Sequence, residues 1–323
     1  MQRREFLRLV LPAIAGALPV RASAQLVDQP IRIVFPYAGG GSGDTLARLV
    51  ADKMRSALGR PVIVEDRAGG AGRIGVMQVK NAAPNGDTLL ITPIATMAVY
   101  QHVYRSLGYD PFTDFTPVSQ LATFDFALAV GPQVPAQSLK QLVAWVQADP
   151  VRAVYGGPGT GDLPHFLGVL FARAAGLDLR HVAYRGSATA IVDLAAGQIP
   201  MLIVPLSDVL AMHKDKRVRI LASSGKTRSP FAPDVPTFRE QGYAIEGSSW
   251  YGAFAPARTP AATIDKLSAA MAAAVRQPDV AERLKAFGLV PTGTTAAELA
   301  AIQKADSARW AAAVQLSGFK ADE

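Results

Sequence analysis

The first recognisable element of the chain reads Ile31-Arg32-Ile33-Val34-Phe35-Pro36-Tyr37-Ala38-Gly39-Gly40-Gly41-Ser42-Gly43-Asp44. Its β-branched start predicts a buried strand, and its glycines predict a tight turn. The apolar spacing of the next segment, Thr45–Leu58, predicts a helix. Glycine lets the backbone approach a ligand closely, and the first turn of a helix leaves N–H donors unpaired. This strand, turn and helix therefore form a candidate anion-binding site.

The same arrangement occurs again in the middle of the chain. The strand-like segment Arg152–Tyr155 leads into Gly156-Gly157-Pro158-Gly159-Thr160-Gly161-Asp162, and a helical pattern follows over Pro164–Ala175. Two such turns, far apart in sequence, predict two lobes that each present a helix N-terminus to one shared, negatively charged small molecule.

Short apolar runs, among them Phe126–Val130, alternate with helix-period segments, among them Leu206–Lys214, along the rest of the chain. This alternation predicts an α/β fold with mixed, mostly parallel sheets and helices on both faces. The roughly 300 residues after the N-terminal segment are too many for one typical core and suit two lobes. We expect the chain to cross between lobes near Phe124–Leu128 and Ser248–Phe254. Lobe 1 then comprises residues 25–125 and 250–323, and lobe 2 comprises residues 126–249.

Two helix starts carry capping signals. Ser138 precedes the apolar-periodic segment that begins at Leu139, and Thr295 is followed three residues later by Glu298. The first pattern predicts a serine N-cap, and the second predicts a capping box at the start of the last helix.

Residues 1–24 are typical of an export signal. A basic start with Arg3-Arg4 accompanies an apolar run from Leu7 to Val20, and Ala22-Ser23-Ala24 has the pattern of a cleavage site. The apolar run is shorter than the ~20 residues that a membrane span requires. The arginine pair resembles the twin-arginine export motif, although a Sec signal can contain the same pair.

The composition excludes several classes of site. The chain has no cysteine, which excludes disulfides, thiol nucleophiles, cysteine-bound zinc and a lipid-modified cysteine. Together with the export signal, this favours the periplasm of a Gram-negative cell. The formal charge of +7 falls to about +4 when four arginines and one glutamate leave with residues 1–24. The basic residues form no long run and are not interleaved with aromatic residues, so we expect no nucleic-acid partner.

The first glycine turn nearly matches three enzyme motifs and completes none of them. Asp44 stands where both the dinucleotide fingerprint and the nucleophile elbow require a glycine, and the turn lacks the lysine of a P-loop. His165 either donates to a ligand carboxylate beside the cleft or is a structural histidine. The other histidines, His102, His181 and His213, are far apart in sequence and lack metal-ligand spacing. We therefore expect no catalytic residue, no metal and no cofactor.

A series of short motifs runs through nearly the whole chain after residue 29. In order, they are Pro30-Ile31-Arg32-Ile33-Val34-Phe35-Pro36-Tyr37, the glycine turn with Asp44 and Ala47-Arg48, Gly59-Arg60-Pro61-Val62-Ile63-Val64-Glu65-Asp66-Arg67-Ala68-Gly69-Gly70-Ala71-Gly72, Ala83-Pro84-Asn85-Gly86-Asp87-Thr88-Leu89-Leu90, Tyr109-Asp110-Pro111, Asp114-Phe115, Tyr184-Arg185-Gly186, Ser229-Pro230, Pro233-Asp234-Val235-Pro236-Thr237, Trp250-Tyr251-Gly252, Ala255-Pro256-Ala257 and Thr259-Pro260. A chain with these motifs in this order resembles the periplasmic solute-binding receptors of tripartite tricarboxylate transporters, the Bug proteins.

The resemblance implies a two-lobed periplasmic-binding-protein fold with a ligand cleft between the lobes. It implies a receptor, not an enzyme, that closes on its ligand and delivers it to a membrane permease. Typical ligands of the family are di- and tricarboxylates, amino acids, and aromatic carboxylates or amides. We expect a monomer whose partners are a small organic acid and the inner-membrane permease subunits. The alternatives are a receptor that presents its ligand to a signalling protein and, from the fold alone, a periplasmic enzyme.

The resemblance also implies where the ligand binds. In the family, the loop after the first strand and its equivalent in the second lobe hold a ligand carboxylate through backbone groups and ordered waters. These loops correspond to residues 37–42 and 157–161, the same turns that the glycine pattern indicates. The far end of the cleft corresponds to residues 92–96, 184–188 and 204–207. The predicted ligand-binding residues are Tyr37, Ala38, Gly39, Gly40, Gly41, Ser42, Thr92, Ala95, Gly157, Gly159, Thr160, Gly161, His165, Tyr184, Arg185, Gly186 and Pro205.

The far end of the cleft departs from the common family pattern. Many members have Phe-Asp-Asn after a Gly-Gln pair, whereas here Gly197-Gln198 leads to Ile203-Val204-Pro205. We therefore expect no aspartate there to pair with a ligand amino group. This favours a carboxylate with an apolar or aromatic remainder over an α-amino acid.

Overall fold

The computed structural model describes residues 29–317 and 319–321. The predicted export signal lies outside the described residues. The strands are β1 (Ile31–Phe35), β2 (Val62–Asp66), β3 (Thr88–Pro93), β4 (Phe115–Val130), β5 (Val154–Gly157), β6 (Arg180–Ala183), β7 (Met201–Pro205), β8 (Arg219–Ser223), β9 (Ser248–Pro256) and β10 (Val290–Pro291). The α-helices are α1 (Ser42–Leu58), α2 (Arg73–Lys80), α3 (Tyr100–Val103), α4 (Leu139–Gln147), α5 (Leu163–Ala175), α6 (Ser187–Ala195), α7 (Leu206–Lys214), α8 (Ala261–Arg276), α9 (Pro278–Ala286) and α10 (Ala296–Ser317).

The strands form two groups that share one long strand. One group has the order β2-β1-β3-β9-β4, and the other continues as β4-β7-β5-β6, with β8 and β10 also paired to β4. Helices follow most strands and cover the sheets, as the alternating pattern predicts. The prediction of a mixed α/β fold is confirmed.

Parallel pairing is confined to the flanks of each group. Strand β1 is parallel to β2 and β3, and β5 is parallel to β6 and β7. Strands β4 and β9 pair antiparallel with each other and with their other neighbours. The sheets are thus less parallel than the sequence predicts, because the central strands β4 and β9 pair antiparallel with their neighbours.

Strand β4 changes partners along its length. Its residues from Phe115 to Asp125 pair with β9, and those from Phe126 to Val130 pair with β7. The sequence predicted a strand only from Phe126 onward and missed the first part of β4. The lobe boundaries at residues 125/126 and 249/250 remain a prediction, which this change of partners supports.

Both predicted capping signals are confirmed. The Ser138 hydroxyl accepts a hydrogen bond from the Gln141 amide at 3.3 Å. At the start of α10, the Thr295 amide donates to Glu298 at 2.8 Å, and the Glu298 amide donates to the Thr295 hydroxyl at 3.2 Å. Within residues 29–317 and 319–321, no helix is both long and apolar enough to cross a membrane.

Candidate functional site

A cavity lies between the two lobes, where β1 and β3 of lobe 1 face β7 and the start of α5 in lobe 2. The space that the centre of a water molecule can reach is about 50 Å³, room for a few waters. The walls are mainly apolar and aromatic, as is common for small-molecule sites. The lining residues are Phe35, Tyr37, Ala38, Gly41, Gly43, Pro93, Ile94, Ala95, Phe124, Phe126, Pro158, Asp162, Leu163, Pro164, Gly186, Ser187, Pro205, Asp208, Ser249 and Tyr251.

The first glycine turn brings the start of α1 to the cavity. Gly41 is the N-cap of α1 and provides no side chain to cap it. Gly40 has a φ of 95°, which favours glycine, and its amide donates to the Asp44 carboxylate at 2.9 Å. At Gly43, a Cβ would lie 2.7 Å from the rings of both Phe35 and Tyr251. This glycine is therefore required so that two aromatic walls of the cavity can pack against the helix.

A side chain on the other side of the cleft caps the N-terminus of α1. The amide of Ser42, the first residue of α1, donates to Asp208 Oδ1 at 2.8 Å. Asp208 lies in the first turn of α7 and is partly exposed at the cavity. Burial raises the pKa of Asp208, while hydrogen bonds from the hydroxyls of Ser187, Ser42 and Ser207 oppose that rise. A protein carboxylate thus occupies the anion position that the sequence assigned to a ligand.

The second turn also holds a protein carboxylate. Asp162 is the N-cap of α5, and its side chain accepts a hydrogen bond from the His165 amide at 3.0 Å. Asp162 is buried and lines the cavity. Burial raises the pKa of Asp162 to about 7, against two backbone hydrogen bonds that lower it. Near neutral pH, this carboxyl group is therefore divided between its charged and protonated forms.

His165 has a structural environment. Its Nδ1 accepts a hydrogen bond from the Gly161 amide at 3.0 Å, and its ring stacks on His181 at 4.3 Å between centroids. Burial lowers the pKa of His165 to about 4, and burial followed by the neighbouring His165 lowers that of His181 to about 3. Both rings are neutral near pH 7, and His165 does not line the cavity. Of the two interpretations that the sequence left open, these contacts favour the structural one.

Direct hydrogen bonds connect the two sides of the cleft. The Ala38 amide donates to the Arg185 carbonyl at 3.1 Å, and the Tyr104 hydroxyl donates to the Thr160 carbonyl at 2.7 Å. The Ser207 hydroxyl lies 2.9 Å from that of Ser42. Together with the bond from Ser42 to Asp208, these contacts join both glycine turns of the sequence analysis to the opposite lobe.

The predicted binding residues fall into three groups. Six line the cavity: Tyr37, Ala38, Gly41, Ala95, Gly186 and Pro205. Eight belong to the two turns or the start of α5 without lining it: Gly39, Gly40, Ser42, Gly157, Gly159, Thr160, Gly161 and His165.

The other three predicted residues serve other contacts. The Thr92 hydroxyl is buried and bonds to that of Thr96 at 2.7 Å. The Tyr184 hydroxyl donates to Asp193 at 2.8 Å, and Arg185 contributes its carbonyl to the contact with Ala38.

Two aspartates line the cavity at positions other than Ile203-Val204-Pro205, where the sequence analysis expects none. Asp208 and Asp162 both line the cavity. The sequence comparison stopped at Pro205, whereas Asp208 lies one helical turn further on, and an acidic residue in the first turn of a predicted helix was the available signal. The aromatic residues Phe124 and Tyr251 and the hydroxyl of Ser249 were also missed, because they come from β4 and β9 and meet only in the tertiary fold.

The described residues contain no group of three or more histidine, aspartate or glutamate side chains arranged to hold a metal ion.

The sequence of this chain matches a known family over most of its length. Residues 46–319 match the model of the "Tripartite tricarboxylate transporter family receptor". This chain belongs to the tripartite tricarboxylate transporter receptor family. One relative of this receptor is a "UPF0065 protein in tcbD-tcbE intergenic region" of Pseudomonas sp. (strain P51), which is 34% identical over 310 residues and covers 94% of this chain and 92% of the relative.

Solved structures of similar proteins share the fold of this receptor. The periplasmic binding protein BugD is 29% identical, with a TM-score of 0.86 over 91% of this chain and 99% of that one. MatC from Rhodopseudomonas palustris with bound malate is 29% identical, with a TM-score of 0.83 over 88% and 98%. Rpa4515 of R. palustris with adipate is also 29% identical, with a TM-score of 0.86 over 90% and 98%.

The family and these structural neighbours are solute-binding proteins, not enzymes. The predicted family, the two-lobed fold and the assignment as a solute-binding protein are confirmed.

Proposed function

We propose that this receptor captures a small carboxylate-containing ligand in the cavity between its lobes and delivers it to a tripartite tricarboxylate-type permease. The observation that carries the proposal is Ser249, a residue of the cavity wall that is only 2% exposed and whose hydroxyl makes no hydrogen bond to any described residue. A buried hydroxyl without a partner costs free energy, so a ligand that supplies the partner gains affinity.

The start of α5 at the same cavity supports a carboxylate ligand. Leu163 is the first residue of α5, is buried and lines the cavity. First-turn amides of a helix have no partner within the helix and favour anions. The malate and adipate bound by the two neighbours from R. palustris are carboxylates of this kind.

Binding is tested on the purified mature chain by thermal shift and isothermal titration. The panel contains mono-, di- and tricarboxylates, amino acids and aromatic acids. A ligand that binds only the folded state raises the melting temperature, and the stabilisation grows with the logarithm of the ligand concentration once that exceeds Kd. If no member of the panel raises the melting temperature or releases heat, the proposal fails.

A matched pair of serine variants tests whether the binding occurs in this cavity. Ser249→Ala should weaken binding of the best ligand about fivefold, since one hydrogen bond contributes about 1 kcal/mol. Ser248→Ala alters the neighbouring, exposed serine, whose hydroxyl donates to Asp125 at 2.6 Å, and should leave Kd unchanged. Equal effects of the two variants would place the ligand elsewhere.

Export and delivery are proposed from the sequence and the family. N-terminal sequencing of the protein from a periplasmic fraction should begin at Gln25, and loss of export in an Arg3→Lys, Arg4→Lys variant would indicate the twin-arginine route. Uptake of the radiolabelled ligand should require both this gene and the permease genes. Uptake that persists without this gene would contradict its role in delivery. We expect size-exclusion chromatography to give a monomer.

A further inference from the structure

The charged side chains that line the cavity are acidic. Two acidic side chains, Asp162 and Asp208, line it, and no lysine, arginine or histidine is among the described residues of its wall. A ligand with two carboxylates would place further negative charge beside them in a poorly solvated space, where like charges repel strongly. A ligand that binds there must therefore offset this negative charge with a positively charged group.

Asp208 is the side chain that can pair with such a positively charged group. Its Oδ1 is held by the Ser42 amide at 2.8 Å, at the N-terminus of α1, and the side chain itself lies in the first turn of α7. Burial raises the pKa of Asp208, and the two helix N-termini and nearby serine hydroxyls oppose that rise by stabilising the charged form. Asp208 remains partly exposed at the cavity, so a ligand can contact it.

The aromatic side chains of the cavity wall also favour a positively charged group in the ligand. Phe35, Tyr37, Phe124, Phe126 and Tyr251 all line the cavity. The Phe124 and Tyr251 rings stack at 4.6 Å, and the Phe124 and Phe126 rings meet at 5.4 Å. The faces of aromatic rings attract cations, and a group of rings beside a carboxylate is a common setting for an ammonium or quaternary nitrogen.

We propose that Asp208 is a specificity-determining residue that selects ligands with a cationic nitrogen in addition to their carboxylate, over dicarboxylates of the same skeleton. This inference rests on the proposed function, because it assumes that the cavity binds a small carboxylate. The nitrogen lies against Asp208 and the rings, and the ligand carboxylate binds the remaining donors, among them the unpartnered hydroxyl of Ser249. The ligand is then a zwitterion that adds no net charge to the cavity.

Matched ligand pairs test the proposal by isothermal titration. Beta-alanine is compared with succinate, 4-aminobutyrate with glutarate, and 4-(aminomethyl)benzoate with terephthalate. The wild-type receptor should bind the nitrogen-bearing member of its preferred pair at least about tenfold more tightly. Asp208→Asn should weaken that ligand at least about tenfold and leave the dicarboxylate of the pair bound as well as before, or better.

The matched control is Asp215→Asn, at the other end of α7. Asp215 is exposed and does not line the cavity, so this variant should retain the wild-type preference. Dicarboxylates that bind the wild type at least as tightly as their zwitterionic partners would overturn this inference and leave the proposed function intact. No binding by any probe would overturn both. The ratio of the two Kd values in each ligand pair, measured on the wild type, tests the inference even if Asp208→Asn does not fold.

Discussion

Replacing the buried Asp162 by asparagine should change how the stability of this receptor depends on pH. Asp162 caps α5 through the hydrogen bond that its Oδ1 accepts from the His165 amide at 3.0 Å. Asparagine caps helices about as well as aspartate and can accept the same hydrogen bond. Asp162→Asn therefore retains the cap and removes only the ionisation of a buried group.

The magnitude follows from the pKa of Asp162, which burial raises from 3.8 to about 7. At about 1.4 kcal/mol per unit of pKa, the difference corresponds to about 4 kcal/mol. The folded state binds the proton more tightly than the unfolded state, so this group lowers the free energy of unfolding progressively as pH rises from about 4 to about 7. Above that range, the full cost of the buried charge is present.

The measurement is urea unfolding of the wild type and Asp162→Asn at several pH values between about 4.5 and 8.5. Burial lowers the pKa of His165 to about 4 and that of His181 to about 3, so these residues have the opposite effect. They lower the free energy of unfolding at acid pH, and this cost disappears as pH rises to about 6.5. The two proteins share these histidines, so the difference between them isolates Asp162. The variant should gain stability relative to the wild type as pH rises, with a plateau above about 7.

Asp149→Asn is the control, since Asp149 also caps a helical turn through its side chain but is 43% exposed. Its stability relative to the wild type should change little over the same pH range. A difference between the wild type and Asp162→Asn that does not vary with pH would show that Asp162 is not a buried group with a raised pKa, and the reasoning would be refuted.

Four further substitutions test local contacts. Tyr104→Phe removes the hydrogen bond to the Thr160 carbonyl at 2.7 Å between the lobes, so Kd for the ligand should rise about fivefold, as titration would show; an unchanged Kd would mean that this contact does not favour closure. Gly43→Ala places a Cβ 2.7 Å from two aromatic rings and should cost about 1–3 kcal/mol in urea unfolding. Gly41→Ala meets its nearest atom at 3.6 Å and should cost less than about 0.5 kcal/mol; equal costs would contradict the packing argument. Ser138→Ala removes the cap of α4 and should lower the free energy of unfolding by about 1 kcal/mol, whereas an unchanged value would mean that water replaces the cap.

The position of the site was largely predictable from the sequence. Both glycine turns lie at the boundary between the lobes, and Tyr37, Ala38 and Gly41 of the first turn line the cavity. A strand followed by glycines and a helix is a local pattern, and the start of such a helix usually lies at an edge of the sheet, so the sequence indicates where these turns lie. The chemistry of the site was less predictable, since its walls come from several distant segments.

The sequence by itself determined what depends on neighbouring residues: the strand and helix periodicities, the caps at Ser138 and Thr295, and the order of motifs that indicates the family. Only the tertiary structure decided the charge of the cleft, because Asp208 reaches the Ser42 amide across 166 residues of sequence. The length of β4 was also decided there, since its first part is stabilised by pairing with β9. Contacts between distant segments depend on how the chain folds back on itself, and no pattern of neighbouring residues predicts that geometry.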